Sequence, residues 1–257
     1  ALTNAVFILV LLFAGMNVPV AHAQGAYDPA LYDAIEYRLI GPYRGGRADS
    51  VTGLPGDRDT YYFASTGGGV WKTDDGGSKW RNVSDGYFGG SVGAVAVSEA
   101  DPNVIYAGLG EKSVRGKVSS IFGVWKSTDA GKTWSFVGLE DTRHIGRIRI
   151  HTTNPDIVYV AAMGDLWQPG EARCVYKSTD GGESWATVHF ANEDAGAVDL
   201  VFQPGNPRII YASTWNVRRT PHGFSSGGPG SDLWKSTDSG ATWEKLTELP
   251  NMPERPL

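Results

Sequence analysis

The apolar residues of this chain come in short runs separated by turn formers, with no long run of helix formers. Residues 94–97, 148–150 and 198–202 are such runs. A second apolar run follows each, introduced by Pro102, Pro155 or Pro207 and reaching Tyr106, Tyr159 or Tyr211, always four residues after the proline. Arg58 to Tyr62 is the weaker counterpart nearer the N-terminus. A third run then enters the pattern Ser/Thr-x-Asp-x-Gly-x-x-Trp, which starts at Thr73, Ser127, Ser178 and Ser236. Short apolar runs bounded by Gly, Pro, Asn and Asp predict strands and tight turns. The repeating unit therefore reads strand a, turn, strand b, loop, strand c, tight turn, strand d.

The box hydroxyls recur at intervals of 54, 51 and 58 residues. Four short strands at a period near 50 residues predict a β-propeller blade, whereas a stacked solenoid would use more uniform and shorter repeats. The expected fold is all-β: a propeller of four-stranded antiparallel blades with tight c–d turns, about four blades forming an incomplete ring. The blades are expected near residues 37–88, 89–140, 141–192 and 193–250. From each box hydroxyl to the next marker tyrosine the spacing is 33, 32 and 33 residues, but from marker tyrosine to its own box it is 11, 21, 19 and 25. Length variation thus collects between strands b and c. Because surface loops vary freely and carry function, the b–c loops are expected on one face and the tight turns on the other.

The four repeated aspartates do not read as catalytic, since chemistry needs a group once per site and these occur once per unit. Asp75, Asp129, Asp180 and Asp238 are expected to accept hydrogen bonds from their own turns. Gly77, Gly131, Gly182 and Gly240 supply positive φ, and Trp80, Trp134, Trp185 and Trp243 bury a ring against the blade. With Thr73, Ser127, Ser178 and Ser236 these residues are scaffold. Trp71, Trp125 and Trp234, with Tyr176 in the same position of the third unit, are expected between blades. Trp167 and Trp215 do not repeat; both are assigned to long b–c loops and make better ligand contacts.

Composition narrows the classes. Residues 1–23 carry no Asp, Glu, Lys or Arg, and residues 5–16 are an apolar run of twelve. As a helix that run reaches about 18 Å, short of a bilayer core of about 30 Å. With Ala21-His22-Ala23 before Gln24 it reads as a cleavable signal peptide, followed by a linker at 24–36 and the propeller at 37–257. The membrane is involved only through that signal, and the expected location is secreted or periplasmic. Cys174 is the only cysteine, so no internal disulfide can form. The net charge of −5, with no basic run beyond Arg218-Arg219, argues against a nucleic-acid partner. The five histidines show no metal-ligand spacing, and Gly45-Gly46 and Gly67-Gly68-Gly69 lack the helix and Lys-Ser/Thr of a phosphate loop. Neither metal nor cofactor is expected.

With the repeats in place the chain resembles the BNR/Asp-box propellers, specifically the sortilin (VPS10) N-terminal-like bacterial family often labelled glycosyl hydrolase. The resemblance spans about residues 37–245 and is carried by Ile40-Gly41-Pro42, Gly46-Arg47, Gly69 to Lys72, Gly108 to Glu111, His144 to Arg147, Leu166-Trp167 with Pro169-Gly170, and Arg218-Arg219. It implies a ring with more blades than the four visible here, so the chain is expected to be the N-terminal part of a longer protein. Two functions follow. One is an exported scaffold that binds a peptide, protein or glycan on its b–c loop face, through Arg115, His144, Arg147, Trp167, Trp215, Arg218 and Arg219. The other is a polysaccharide hydrolase of the xyloglucanase or BNR type, which needs two carboxylates about 5–9.5 Å apart. Glu111 and Asp165, each following a glycine soon after strand b, are its best candidates, although Asp141, Glu171, Glu193 and Asp194 share those loops.

Overall fold

The computed structural model describes residues 46–247. The expected signal peptide, the linker and the stretch Ile40-Gly41-Pro42 lie outside them. Within them the strands fall into four antiparallel sheets in the order a-b-c-d. Blade 1 comprises β1 (Ala48–Gly53), β2 (Tyr61–Ser65), β3 (Gly69–Thr73) and β4 (Arg81–Asn82). Blade 2 comprises β5 (Val92–Val97), β6 (Ile105–Leu109), β7 (Val124–Ser127) and β8 (Ser135–Phe136). Blade 3 comprises β9 (Ile145–Ile150), β10 (Val158–Ala162), β11 (Cys174–Ser178) and β12 (Ala186–Phe190). Blade 4 comprises β13 (Ala195–Gln203), β14 (Asn206–Arg219), β16 (Leu233–Ser236) and β17 (Glu244–Lys245), with β15 (Phe224–Ser226) paired to the far end of β14. The only helical element among the described residues is a 3-10 turn at Glu140–Thr142.

Inner strands lie side by side in chain order, β1 with β5, β5 with β9 and β9 with β13. This is the all-β propeller arrangement. Each inter-blade space is filled from the two sheets that face it. Val70, Ile105, Leu109 and Trp134 belong to one cluster, Val124, Ile148, Val160 and Tyr106 to the next, and Tyr159, Val175, Leu200 and Ile210 to the third. Trp125, Tyr176 and Trp234 pack against these clusters in turn, the inter-blade role their repetition predicts.

The box turns carry the expected geometry. The box hydroxyl accepts from the glycine N–H (Ser127 from Gly131, 2.9 Å) and donates to the aspartate (Asp129 Oδ1, 2.9 Å). The aspartate accepts the N–H of the residue four positions after itself, Lys79, Thr133, Ser184 and Thr242 in the four turns, at 2.8–3.0 Å. The box glycines have φ between 83° and 96°.

The marker tyrosines have a role their spacing alone did not disclose. Tyr62 donates to Ala130 O (3.3 Å), Tyr106 to Gly181 O (3.0 Å) and Tyr159 to Ser239 O (2.8 Å). Each acceptor is the residue between Asp and Gly in the next blade's box. Those residues are left-handed, Ala130 at φ 60° and Ser239 at 61° despite their side chains, which turns the carbonyl towards the preceding blade. Their N–H groups bond to Asn103, Asp156 and Arg208, the residues after the marker prolines. The a–b and c–d turns of a blade are thus tied together on one face, which leaves the b–c and d–a connections on the other. Lys126 and Lys177, cross-strand partners of Tyr106 and Tyr159, donate to the same carbonyls at 2.9 Å. Replacing Tyr106 by Phe removes one buried hydrogen bond, expected to cost about 1 kcal/mol. Thermal denaturation should show a fall in Tm of about 2–4 °C, and an unchanged Tm would mean that the stitch adds nothing.

Two sequence expectations need correction. Trp80 is 37% exposed, whereas Trp134 is 5% exposed. The indole N–H of Trp134 bonds to Val83 O of the preceding blade (2.7 Å) and that of Trp185 to Val137 O (2.7 Å). Blade 1 has no preceding blade among the described residues, so the box indole needs a neighbour that the repeat by itself does not supply. Trp215, Arg218 and Arg219 lie within β14 rather than in an irregular loop. That strand runs past its sheet and folds back through β15, with Val217 opposite Ser226 and Arg219 opposite Phe224.

Candidate functional site

On the face away from the boxes, the b–c connections of blades 2, 3 and 4 meet over a satellite apolar cluster. Val118 comes from the first, Met163 and Leu166 from the second and Val217 from the third, with Val114 and Trp215 packed against them. The backbone joins the same segments, since Arg219 N–H donates to Leu166 O at 2.8 Å. A guanidinium nitrogen of Arg219 also lies against Gly116. Arg115, Trp167 and Arg219, distant in sequence, are therefore neighbours or next to neighbours on one surface, whereas Arg218, adjacent in the strand, points to the opposite face and pairs with Asp194. Arg115 is exposed, Trp167 is 37% exposed, and Arg219 lies over the Phe224 ring at 5.7 Å.

Other candidates occupy different positions. Trp215 is partly buried in the satellite cluster, its indole N–H bonded to Ser226 Oγ at 3.0 Å. Arg147 is on the inner strand β9, where its Nε donates to Asp199 Oδ1 at 2.6 Å. It lines an axial groove of about 760 Å³ with residues of all four inner strands, rather than the loop face. His144 is completely buried and offers a ligand no surface. Its Nδ1 faces Glu111 O at 2.9 Å and its Nε2 faces Ser120 Oγ at 3.0 Å, so Nδ1 carries the proton and the hydroxyl donates to Nε2. Desolvation holds this imidazole down at about 4, and it is neutral near pH 7.

The two carboxylates singled out for catalysis are both engaged. Glu111, 1% exposed, is ion-paired with Arg47 and accepts the Ser119 N–H at 3.3 Å. It fastens the blade 2 loop to the start of β1. Asp165 shapes its own loop, accepting the Trp167 N–H at 2.8 Å and the Gln168 amide at 3.1 Å. Asp194 is ion-paired with Arg218.

Arg173, in sequence one of the arginines near the candidate loop carboxylates, is a central residue of this region. It is among the largest fully buried side chains, 1% exposed, and has no carboxylate within ion-pair reach among the described residues. Its guanidinium donates to four backbone carbonyls, at Asp165, Gln168 (3.2 Å), Asp194 (3.0 Å) and Val217 (3.3 Å). These lie in the connections of blades 3 and 4, and Arg173 pins the platform that carries Trp167 and Arg219. Burial first, and then the charge of Arg218, brings its pKa down to about 10, so it stays protonated at neutral pH. Gly164 leaves space for its stem, since a Cβ there would collide with Arg173 Cγ. Its sequence position points to a loop carboxylate as partner, whereas its acceptors are four backbone carbonyls.

A second concave region lies at the loop end of blade 2. Phe88, Phe122, Trp125 and Phe136 line a hollow of about 540 Å³ that also exposes Glu140, Asp141 and Arg143. Among the described residues no group of three His, Cys, Asp or Glu side chains is placed to hold a metal ion, and no helix is long and apolar enough to cross a membrane.

The sequence aligns over 188 residues with a xyloglucanase of Acetivibrio thermocellus at 28% identity, covering 67% of this chain and 20% of that enzyme. A Paenibacillus xyloglucanase aligns over 224 residues at 22% identity, covering 78% of this chain and 20% of the enzyme. The chain thus spans about a fifth of the length of these relatives. Among solved structures, the GH74 xyloglucanase of Xanthomonas campestris superposes with a TM-score of 0.56 at 19% identity, over 81% of this chain and 32% of that one. The GH74 enzyme of Niastella koreensis gives 0.57 at 17% identity, over 79% and 30%. At that identity the likeness concerns the fold. Residues 123–252, just over half of the chain, match the family described as sortilin, neurotensin receptor 3. With its boxes, its blade order and this match together, the chain belongs to the sortilin-Vps10 family.

Proposed function

We propose that this propeller binds a glycan on its b–c loop face without cleaving it, and that the leader expected at residues 1–23 delivers it outside the cell. The observation that carries this reading is the convergence of Trp167, Arg115 and Arg219 on one surface, while Glu111 and Asp165 are engaged in structure. An exposed indole offers a flat apolar face to the C–H side of a sugar ring, and guanidinium forks donate to hydroxyl oxygens. Glycan is favoured over peptide because the aligned relatives are named xyloglucanases.

A glycosidase needs one carboxyl able to give up a proton and a second to assist attack. Glu111 is sealed against Arg47, and the Asp165 carboxylate is occupied by the turn that positions Trp167. Calorimetric titration with xyloglucan oligosaccharides, followed by a reducing-end assay, separates the two functions. Binding without release of new reducing ends is expected, with Trp167→Ala weakening it by about tenfold, roughly 1.4 kcal/mol. Release of reducing ends that disappears in Glu111→Gln or Asp165→Asn would establish the hydrolase instead.

A further inference from the structure

We infer that the hollow at the loop end of blade 2 is a second carbohydrate site, shaped for one neutral sugar ring; this rests on the glycan reading above. Its volume of about 540 Å³ falls within the range of small-molecule sites. Two of its rings are unusually open for large apolar side chains, Phe122 at 48% and Phe136 at 43% exposure. Trp125 stands edge-on to Phe136 at 5.6 Å and lies 5.1 Å from Phe88, which fixes its ring from behind. The hollow is therefore floored by aromatic faces held in place by the core between blades 1 and 2.

Its polar edge comes from the connection between β8 and β9. Arg143 holds its guanidinium 4.9 Å over the Phe122 ring. Glu140 and Asp141 are exposed beside it, and none of the three side chains makes a hydrogen bond or ion pair with another described residue. On the main loop face Glu111 and Asp194 are instead paired, with Arg47 and Arg218.

The backbone that presents them is strained. Leu139 has φ 61°, and Arg143 has φ 53° with ψ −47°, where the His144 N–H closes a tight turn onto Thr142 O. Side-chain-bearing residues avoid such angles at a cost of about 1–3 kcal/mol, and they persist where the surroundings over-determine them. Here the Arg143 carbonyl accepts the Ile121 N–H at 3.3 Å and is packed so tightly on Gly110 that any Cβ there would strike it. A glycine at 143 would relieve the strain, yet the position holds the arginine that lies over the Phe122 ring of the hollow.

The class of ligand follows from the lining. An anion would meet Glu140 and Asp141, and a cation would have to displace the Arg143 guanidinium that already lies over the Phe122 face. A purely apolar group would strand three charges around it. A neutral ring with C–H faces and a hydroxyl edge uses all the parts: rings beneath, carboxylate acceptors and guanidinium donors at the side. Across Glu140 and Asp141 a neighbouring hollow of about 650 Å³, lined by Phe136, Tyr176 and Trp185, gives the next sugar of a chain somewhere to go.

The test titrates the full chain with xyloglucan oligosaccharides, read by calorimetry and tryptophan fluorescence, in wild type, Trp167→Ala, Phe122→Ala and Arg143→Gly. Phe122→Ala and Arg143→Gly are each expected to weaken one of two binding events by about tenfold, with the signal that survives Trp167→Ala lost. Arg143→Gly should also raise Tm by about 2–4 °C, a gain in stability with loss of binding that a merely structural arginine would not give. If wild type binds but both variants bind unchanged, the second site is wrong and the loop-face reading stands. If wild type binds no oligosaccharide, the glycan reading falls and takes this site with it.

Discussion

Arg173→Met is expected to destabilise the domain by about 3–5 kcal/mol, the largest effect of any single substitution considered for this protein. The change keeps the apolar stem and removes the fork, leaving the carbonyls of Asp165, Gln168, Asp194 and Val217 without their donor. Each buried acceptor left unpaired costs about 1–3 kcal/mol, and water entering the gap recovers part of it. Arg173→Lys should recover less than half of the loss, because one ammonium cannot reach four acceptors arranged around a planar fork. Chemical denaturation of the three proteins checks this, with the m-value held constant. A loss below about 1 kcal/mol for Arg173→Met would show that the connections of blades 3 and 4 hold themselves in place. Because the same connections carry Trp167 and Arg219, oligosaccharide binding should fall in Arg173→Met even at temperatures where the protein stays folded.

Acidification is expected to destabilise the fold in two stages. His144 is completely buried, and desolvation lowers it from 6.5 to about 4. A base whose folded value lies below its unfolded one binds fewer protons folded than unfolded. Stability is therefore fully present above about pH 6.5 and declines as the pH falls towards about 4. A difference of that size corresponds to about 3 kcal/mol. His189, also held down to about 4 by desolvation and packed against Trp234 at 4.3 Å, acts in the same direction over the same window, discounted because it is only partly buried. Below the ordinary carboxylate value of 3.8 the boxes begin to fail. Hydrogen bonds from Thr133 and Thr242 lower Asp129 and Asp238 to about 2, and Asp180 is lowered by Ser184. Depressed carboxylates contribute stability above their unfolded value that is lost as the pH drops through the folded one. Unfolding free energy measured against pH should thus decline between pH 6.5 and 4, then more steeply, and His144→Gln should flatten the first limb. A profile level from pH 7 to 4.5 would show that His144 is solvated.

Repetition made the architecture readable before any coordinates. A Ser/Thr-x-Asp-x-Gly-x-x-Trp turn closes on itself: Asp129 receives Thr133 and Ser127 holds Gly131, all within a few residues. Such local hydrogen bonding is written wherever the motif is written. The alternation of strands with turns, the a-b-c-d order and the division into a tight face and a variable face follow from the same local chemistry applied four times.

What the motif could not supply was the identity of neighbours. Tyr106 is a buried aromatic in any strand, and only the placement of blade 3 makes its hydroxyl a donor to Gly181. His144 and Glu111 look like surface chemistry because they stand in a loop next to glycines, yet the loop folds inwards and spends both on its own support. Arg173 lies 44 residues from Val217 and 21 from Asp194, so no local pattern links the donor to its acceptors. The sequence determined the repeat, the blade and the two faces, because those depend on hydrogen bonds between residues a few positions apart. The tertiary structure decided which charges are spent on holding the loops and which remain for a ligand, because burial is a property of the assembled blades and not of any segment.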